Sequence, residues 1–152
     1  MFYYERFANH ERSERHVKVL RKRIENMMEK LHKVKLISFN EMEFLPNALT
    51  IVEDSRIILK WSYAYGFYLD DKQERNLLEY LQQKLEENAD LLHEMLETPE
   101  DEILYREDDV KNKLFYAYKE KLTNLSTVTQ NVSEELWSVL SELRGRGGTG
   151  AH

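Results

Sequence analysis

The stretch from Phe44 to Leu69 limits this chain more than any other. Its last fourteen residues, from Arg56 onward, hold five aromatics and four large aliphatics against two charges. Taken alone, that run of β-branched and aromatic side chains also reads as a strand. The residues leading into it decide otherwise. Phe44, Leu45, Ala48, Leu49, Val52, Leu59 and Tyr63 recur at steps of mostly three and four, the period of an α-helix. A helix that is apolar on most sides must be covered on most sides. The spacing therefore predicts one long helix over 40–69 at the centre of a bundle. Trp61, Tyr63, Tyr65, Phe67 and Tyr68 are its core signature.

The rest of the chain can supply the cover. Glycine and proline total seven, and four of the five glycines follow Leu143, so little in the body breaks a helix. A first helix over 2–35 carries Leu20, Ile24, Met27 or Met28, Leu31 and Val34 on one stripe. The stripe thins toward the N-terminus, where His10, Ser13, His16 and Val17 hold the same face. Ser38 and Glu41 form a capping box for the second helix, with Asn40 and Glu43 as an alternative. Pro46 then requires a kink or a short first segment. Asp71 and Glu74 repeat the capping pattern ahead of a helix over 73–97, with Leu78, Leu81, Leu85, Leu92 and Met95 or Leu96 facing inward. Thr98-Pro99-Glu100 stops it. A fourth helix over 109–143 runs from Val110 through Leu114, Leu122, Leu125, Val128, Val132 and Leu136 to Leu143. A weak point or bend is expected at Ser126–Thr129, a poor helix-forming run. Residues 144–152 read as a flexible Gly-rich tail. The expected fold class is all-α: an elongated antiparallel four-helix bundle with coiled-coil-like long helices, in a single domain.

Charge is unevenly placed. Residues 1–35 carry ten Lys/Arg and five Asp/Glu, a net +5, whereas residues 70–109 carry four and fifteen, a net −11. Such faces meet solvent, each other, or partners of opposite charge. The acidic segment argues against nucleic acid, since it would repel phosphate. No run is long and apolar enough for a membrane span, and Met1-Phe2-Tyr3-Tyr4-Glu5-Arg6 lacks the layout of a secretion signal. The expectation is an intracellular chain, cytoplasmic and open to the nucleus. Three aromatics directly after Met1 suggest a fragment entered partway along a helix.

Motifs for catalysis are missing. With no cysteine there is no disulfide framework, thiolate zinc site or cysteine nucleophile within these residues. There is no Gly-rich phosphate loop and no Gly-x-Ser-x-Gly elbow. The histidines at 10, 16, 32, 93 and 152 form no His-x-x-x-His pair and no repeated Glu-x-x-His motif. No cofactor and no enzyme activity are expected of this chain. The aromatic helix is better read as core than as a cofactor box.

Three stretches carry a family resemblance. They are Phe2-Tyr3-Tyr4-Glu5-Arg6-Phe7-Ala8-Asn9-His10 followed by Ser13; the whole of Arg56–Leu69; and Leu78-Glu79-Tyr80-Leu81-Gln82 with Leu85-Glu86, then Lys121-Leu122-Thr123-Asn124-Leu125-Ser126. Together they resemble the Ariadne domain, the C-terminal helical region of Ariadne-type RING-between-RING (RBR) E3 ubiquitin ligases, and plant-like members most closely. The second stretch is the specific one. The resemblance implies a regulatory, autoinhibitory role in protein ubiquitination. In that family upstream zinc domains receive ubiquitin from a loaded E2 and pass it through a cysteine of the RING2 domain. The Ariadne domain folds back over that cysteine until a neddylated cullin-RING ligase, or a modification, releases it. Zinc would belong to the RING domains outside this chain. The masking positions would be His16 and Val17 on the first helix, and Glu79 and Asp90 on the third. Glu79 matches the family acid, Asp90 keeps the charge on a shorter side chain, and His16 and Val17 depart from the aromatic–acid pair of animal members. Ser13 resembles a regulatory phosphorylation site. The alternative reading is a structural or coiled-coil adaptor bundle that mediates protein–protein contact with no catalytic domain to restrain.

Overall fold

Helix α2, Phe44–Gly66, lies at the centre and packs against each of the other three helices: α1 (Phe2–Lys35), α3 (Lys72–Glu97) and α4 (Lys113–Gly150). The computed structural model describes the backbone of residues 2–66, 69–97, 104 and 106–150, and within those ranges the side chains of residues 16–145. Among them there is no strand, and no helix is long and apolar enough to cross a membrane. Arg21 of α1 pairs with Glu53 of α2, Tyr63 of α2 with Glu86 of α3, and Tyr118 of α4 with Met95 of α3. Successive helices thus run antiparallel, and α2 and α4 run parallel. The result is the up-down-up-down helical bundle that the apolar periodicity predicts.

The turns follow from local chemistry. The Ser38 hydroxyl accepts the Glu41 N–H at 3.4 Å and starts a short 3₁₀ turn, Phe39–Met42. Of the two ways to place Pro46, this is the short first segment. It leaves Pro46 as the third residue of α2, in the first turn, where its missing N–H has no helical partner to lose. Asp71 Oδ1 accepts the Glu74 N–H at 3.0 Å and caps α3 as expected. Helix α4 begins at Lys113 rather than Asp109. Asp109 instead caps it from outside, its two carboxylate oxygens accepting the N–H groups of Lys113 (2.9 Å) and Leu114 (2.8 Å). The Leu114 bond holds the Asp109 carboxyl below its ordinary value, against a smaller opposing effect of burial, with help from the Lys113 N–H and the Lys35 charge. Helix α2 ends at Gly66, short of Leu69, and α4 continues past Leu143 to Gly150. Thr98, Pro99 and Glu100 lie outside the described residues.

The core is divided in two. The first part joins Leu20, Ile24, Met27 and Leu31 of α1 to Leu45, Leu49 and Val52 of α2, Leu92 and Leu96 of α3, and Phe115 and Leu122 of α4. The second is built from α2, α3 and α4: Leu59 and Tyr63, Leu78, Leu81 and Leu85, Val132, Leu136 and Leu140. Between and beside them lie buried polar side chains, among them Ser55 and Arg56 on α2 and Ser126 and Thr129 on α4. Thr129 donates its hydroxyl to Leu125 O at 2.7 Å, and Thr127 donates to Thr123 O at 3.1 Å. With both threonines bonded back to the preceding turn, the Ser126–Thr129 run continues the helix, although the buried Ser126 hydroxyl has no partner among the described residues; the expected break is not there.

Several inward assignments need correction. Val34, Val110 and Val128 are exposed. Val34 sits next to the end of α1, where Leu36 takes a positive φ of 57° and turns the chain away. Val110 precedes the start of α4, and at the polar level Ser126 and Thr129 take the inward positions instead of Val128. Trp61 and Tyr65, one turn apart on α2, also face outward, at 56% and 37% exposure. Of the aromatic signature only Tyr63 is core; Phe67 and Tyr68 lie outside the described residues.

Candidate functional site

The helices bring two of the sequence-selected residues together. His16 on α1 and Asp90 on α3 line one open cleft of about 470 Å³, with Arg56 of α2 at its floor and His93, Glu94 and Glu97 along α3. The antiparallel register of α1 on α2 places His16 beside Arg56. The α2–α3 register then places Asp90 opposite Arg56. The His16 side chain is exposed.

Arg56 was not anticipated as part of a site. Its side chain is only 6% exposed, yet one guanidinium nitrogen, Nη2, reaches Asp90 Oδ1 at 2.5 Å, and Asp90 is 61% exposed. A buried cation is therefore balanced by a carboxylate on the surface. Removing one partner of such a pair strands the other, whereas an exposed pair contributes little. Asp90 thus does two things: it presents an acid in the cleft and it neutralises the interior. The signal in sequence was a lone arginine at the register of an apolar stripe, three residues before Leu59.

Glu79 lies eleven residues before Asp90 on α3 and is also exposed. Eleven residues make three helical turns with a small remainder, so both acids lie along one ridge, about 16 Å apart along the axis. Glu86 continues this ridge and accepts the hydroxyl of the fully buried Tyr63. At the far end His93 Nε2 meets Glu97 Oε1 at 2.9 Å, one turn apart on the helix. The ridge is fastened from below as well. Gln82 Nε2 donates to Ser62 Oγ at 3.0 Å, and Ser62 donates to Leu59 O at 2.8 Å, tying α3 to α2 through buried polar groups. Such satisfied networks fix one helix register.

Val17 is placed differently from expectation. It is 2% exposed and belongs to the first core. The apolar stripe of α1 continues to this residue instead of thinning before it. Next to it, His16 faces out. The pair therefore does not present one surface: His16 lines the cleft and Val17 anchors the helix that carries it. Ser13 lies one turn before His16 on α1, and its side chain is outside the described residues.

The arrangement holds no nucleophile with a base, and no set of three or more His, Asp or Glu side chains among the described residues could hold a metal ion. What it offers is an acidic ridge with a histidine at one side. Such a surface can accept hydrogen bonds from, and pair with, a basic partner.

Comparison with known proteins agrees with this reading of the fold. The family model described as "Ariadne domain" matches residues 1–146. The chain is 33% identical over 146 residues to the "Probable E3 ubiquitin-protein ligase ARI9" of Arabidopsis thaliana, covering 91% of this chain and 25% of that protein. It is 35% identical over 135 residues to the "Probable E3 ubiquitin-protein ligase rbrA" of Dictyostelium discoideum, covering 86% and 24%. The "E3 ubiquitin-protein ligase dbl4" of Schizosaccharomyces pombe is 28% identical over 145 residues, 94% of this chain and 29% of that protein. The chain therefore spans about a quarter of the length of these relatives. With a family match over nearly its whole length, on a four-helix bundle whose periodicity and capping were legible beforehand, this chain belongs to the Ariadne domain family.

Proposed function

We propose that this chain is the regulatory domain of an RBR E3 ubiquitin ligase and acts by restraint rather than by chemistry. Zinc, the E2-binding surface and the catalytic cysteine of RING2 belong to other domains of such a ligase. The chain covers RING2 with the α1/α3 face until a neddylated cullin-RING ligase, or a modification, favours the released state. The supporting observation is the cleft that gathers His16 and Asp90, with Glu79 farther along the same α3 ridge. A switch of this kind needs the two states to differ by only a few kcal/mol, so that a partner with differential affinity can invert them. Two or three hydrogen bonds to an acidic ridge supply an energy of that order. Phosphorylation at Ser13 would place negative charge one turn from His16 and act on the same face. The reading carries with it a cytoplasmic location, with access to the nucleus.

The test adds this chain in trans to the RING-between-RING catalytic region of a ligase carrying ubiquitin on its cysteine. Slower discharge is expected, with relief by Glu79→Ala and by Asp90→Asn. Asparagine is chosen because it keeps the shape beside Arg56 while removing the charge. Helical content and melting are checked in parallel, since Asp90 also serves the fold. Because a tethered contact made in trans loses effective concentration, the same substitutions in the intact ligase decide the matter. Unchanged basal transfer there, with folding intact, would reject the restraining role and favour the adaptor reading.

A further inference from the structure

A second groove lies between α2 and α4, apart from the cleft just described. It measures about 400 Å³ and is lined by Ile51, Ile57, Ile58 and Trp137, with Asp54 and Glu134 among its polar residues. Trp137 is 54% exposed and Ile57 45%. Trp61, one turn beyond Ile57 on the same face of α2, extends the apolar surface. Isolated exposed hydrophobics are normal on a soluble protein, whereas several together on one groove mark a contact surface.

The charges at this groove are all of one sign. Glu53 pairs with Arg21, Asp90 with Arg56, Glu97 with His93, and Glu86 takes the Tyr63 hydroxyl. Asp54 and Glu134 are exposed and make no hydrogen bond or ion pair among the described residues. No Lys or Arg lines the groove. Two unbalanced acids beside an apolar channel define the complementary shape and charge: large aliphatic side chains on one side and Lys or Arg flanking them.

We propose that the α2/α4 groove is a docking site for an amphipathic helix of a partner protein, seating aliphatic side chains spaced one turn apart between Ile57 and Trp137 and pairing its Lys/Arg with Asp54 and Glu134. The channel runs along two parallel helices, so a third helix can lie in it as in helix-in-groove recognition. Trp137 supplies the kind of anchor that dominates binding energy at such surfaces, and the acids set which helix is accepted. The inference stands independently of the restraining role of the α1/α3 face, since the two sites share no residue.

The chain contains two tryptophans, at 61 and 137, so Trp61→Phe leaves Trp137 as the sole reporter. The full chain with this substitution is titrated with a synthetic helical peptide that carries leucine at one-turn spacing and lysine on its flanks. A saturable blue shift of Trp137 fluorescence is expected. Ile57→Ser and Glu134→Lys should each weaken it about tenfold or more, and a peptide with glutamate in place of lysine should fail to bind. Each variant is checked by circular dichroism, and Glu134→Gln, with its minimal change in shape, stands in if Glu134→Lys unfolds. The proposal is overturned if there is no shift, if the lysine and glutamate peptides bind equally, or if Ile57→Ser and the Glu134 substitution leave affinity unchanged. It is equally overturned if Trp137 is already buried by self-association before any peptide is added, which would make a second copy the occupant.

Discussion

The two halves of the core are stabilised in different ways. The first is enclosed by all four helices and is almost wholly apolar. At its edge Phe44 stacks edge-on against Phe115 (5.6 Å) and Tyr118 (6.2 Å), and Lys35 at the end of α1 donates to Arg106 O at 2.7 Å. The second is built from three helices and supplements a smaller apolar cluster with the Tyr63–Glu86 and Gln82–Ser62 bonds. Apolar burial is strong but indifferent to register, while buried hydrogen bonds are modest in net energy and demanding in geometry. The half that carries Glu79 and Glu86 is thus the one whose register is fixed by polar contacts.

The largest effects should come from truncating each core. Leu49→Ala in the first and Leu85→Ala in the second should each destabilise by about 2–5 kcal/mol. Both tryptophans lie beside the second core, whereas far-UV circular dichroism reports every helix. In denaturant, Leu85→Ala should move the fluorescence midpoint ahead of the dichroism midpoint, and Leu49→Ala should not. Coincident transitions in both variants would show that the halves melt as one unit.

A smaller change is expected where the halves meet. Asp90→Ala leaves the Arg56 guanidinium without its surface carboxylate and should cost about 1–3 kcal/mol. Asp90→Glu should recover part of that in thermal melts. Ser55 gives the opposite sign. It is fully buried and its hydroxyl has no partner among the described residues, so Ser55→Ala should be neutral or stabilising by up to about 1 kcal/mol. Destabilisation on removing Ser55 would reveal a contact that the bundle depends on.

Much of this was legible in the sequence, for identifiable reasons. Leu20, Ile24 and Leu31 on α1, and Leu78, Leu81, Leu85 and Leu92 on α3, were readable as inward because a single apolar stripe on a charged helix leaves no alternative. The caps at Ser38 and Asp71 were readable because a short side chain three residues before its N–H partner satisfies a local geometric rule. Helix α2 was harder. It is apolar on several faces, so hydrophobicity alone could not tell Tyr63, which is buried, from Trp61 and Tyr65, which are not. The polar layer was the least legible. Arg56, Ser126 and Thr129 are residues expected outside, and only the packing of three helices places them inside. The cleft inherits that difficulty. Asp90 and Glu79 were found through a family resemblance, whereas Arg56, which holds Asp90 from below, had no local signature. Val17 was misplaced because His10, Ser13 and His16 before it made the stripe seem to end too soon.

The smallest expected effects are pH-dependent and lie at the start of α4, beside the first core. The Asp109 carboxyl is held below its ordinary value by the N–H groups it caps. Its contribution is therefore present above the unfolded-state carboxyl range and is lost as pH falls through the lower folded-state value. Wild type should lose stability more steeply than Asp109→Asn in acid, and equal slopes would deny the cap a role. Tyr116 has the opposite sense. Burial, then its hydroxyl's donation to Glu41 at 3.2 Å, raises its ionisation above the ordinary phenol range. That contribution is complete below the unfolded value and disappears as pH rises through the folded one, so Tyr116→Phe should flatten the alkaline limb of the stability profile.

Helices α2 and α4 pass unbroken through both cores, side by side and in the same direction. Mechanically they are a pair of shafts on two bearings. An α-helix resists twisting about its own axis, because any local rotation would break its hydrogen-bonded ladder. Helix α4 places Phe115 and Leu122 in the first core and Leu136 and Leu140 in the second, so one straight element is packed in both.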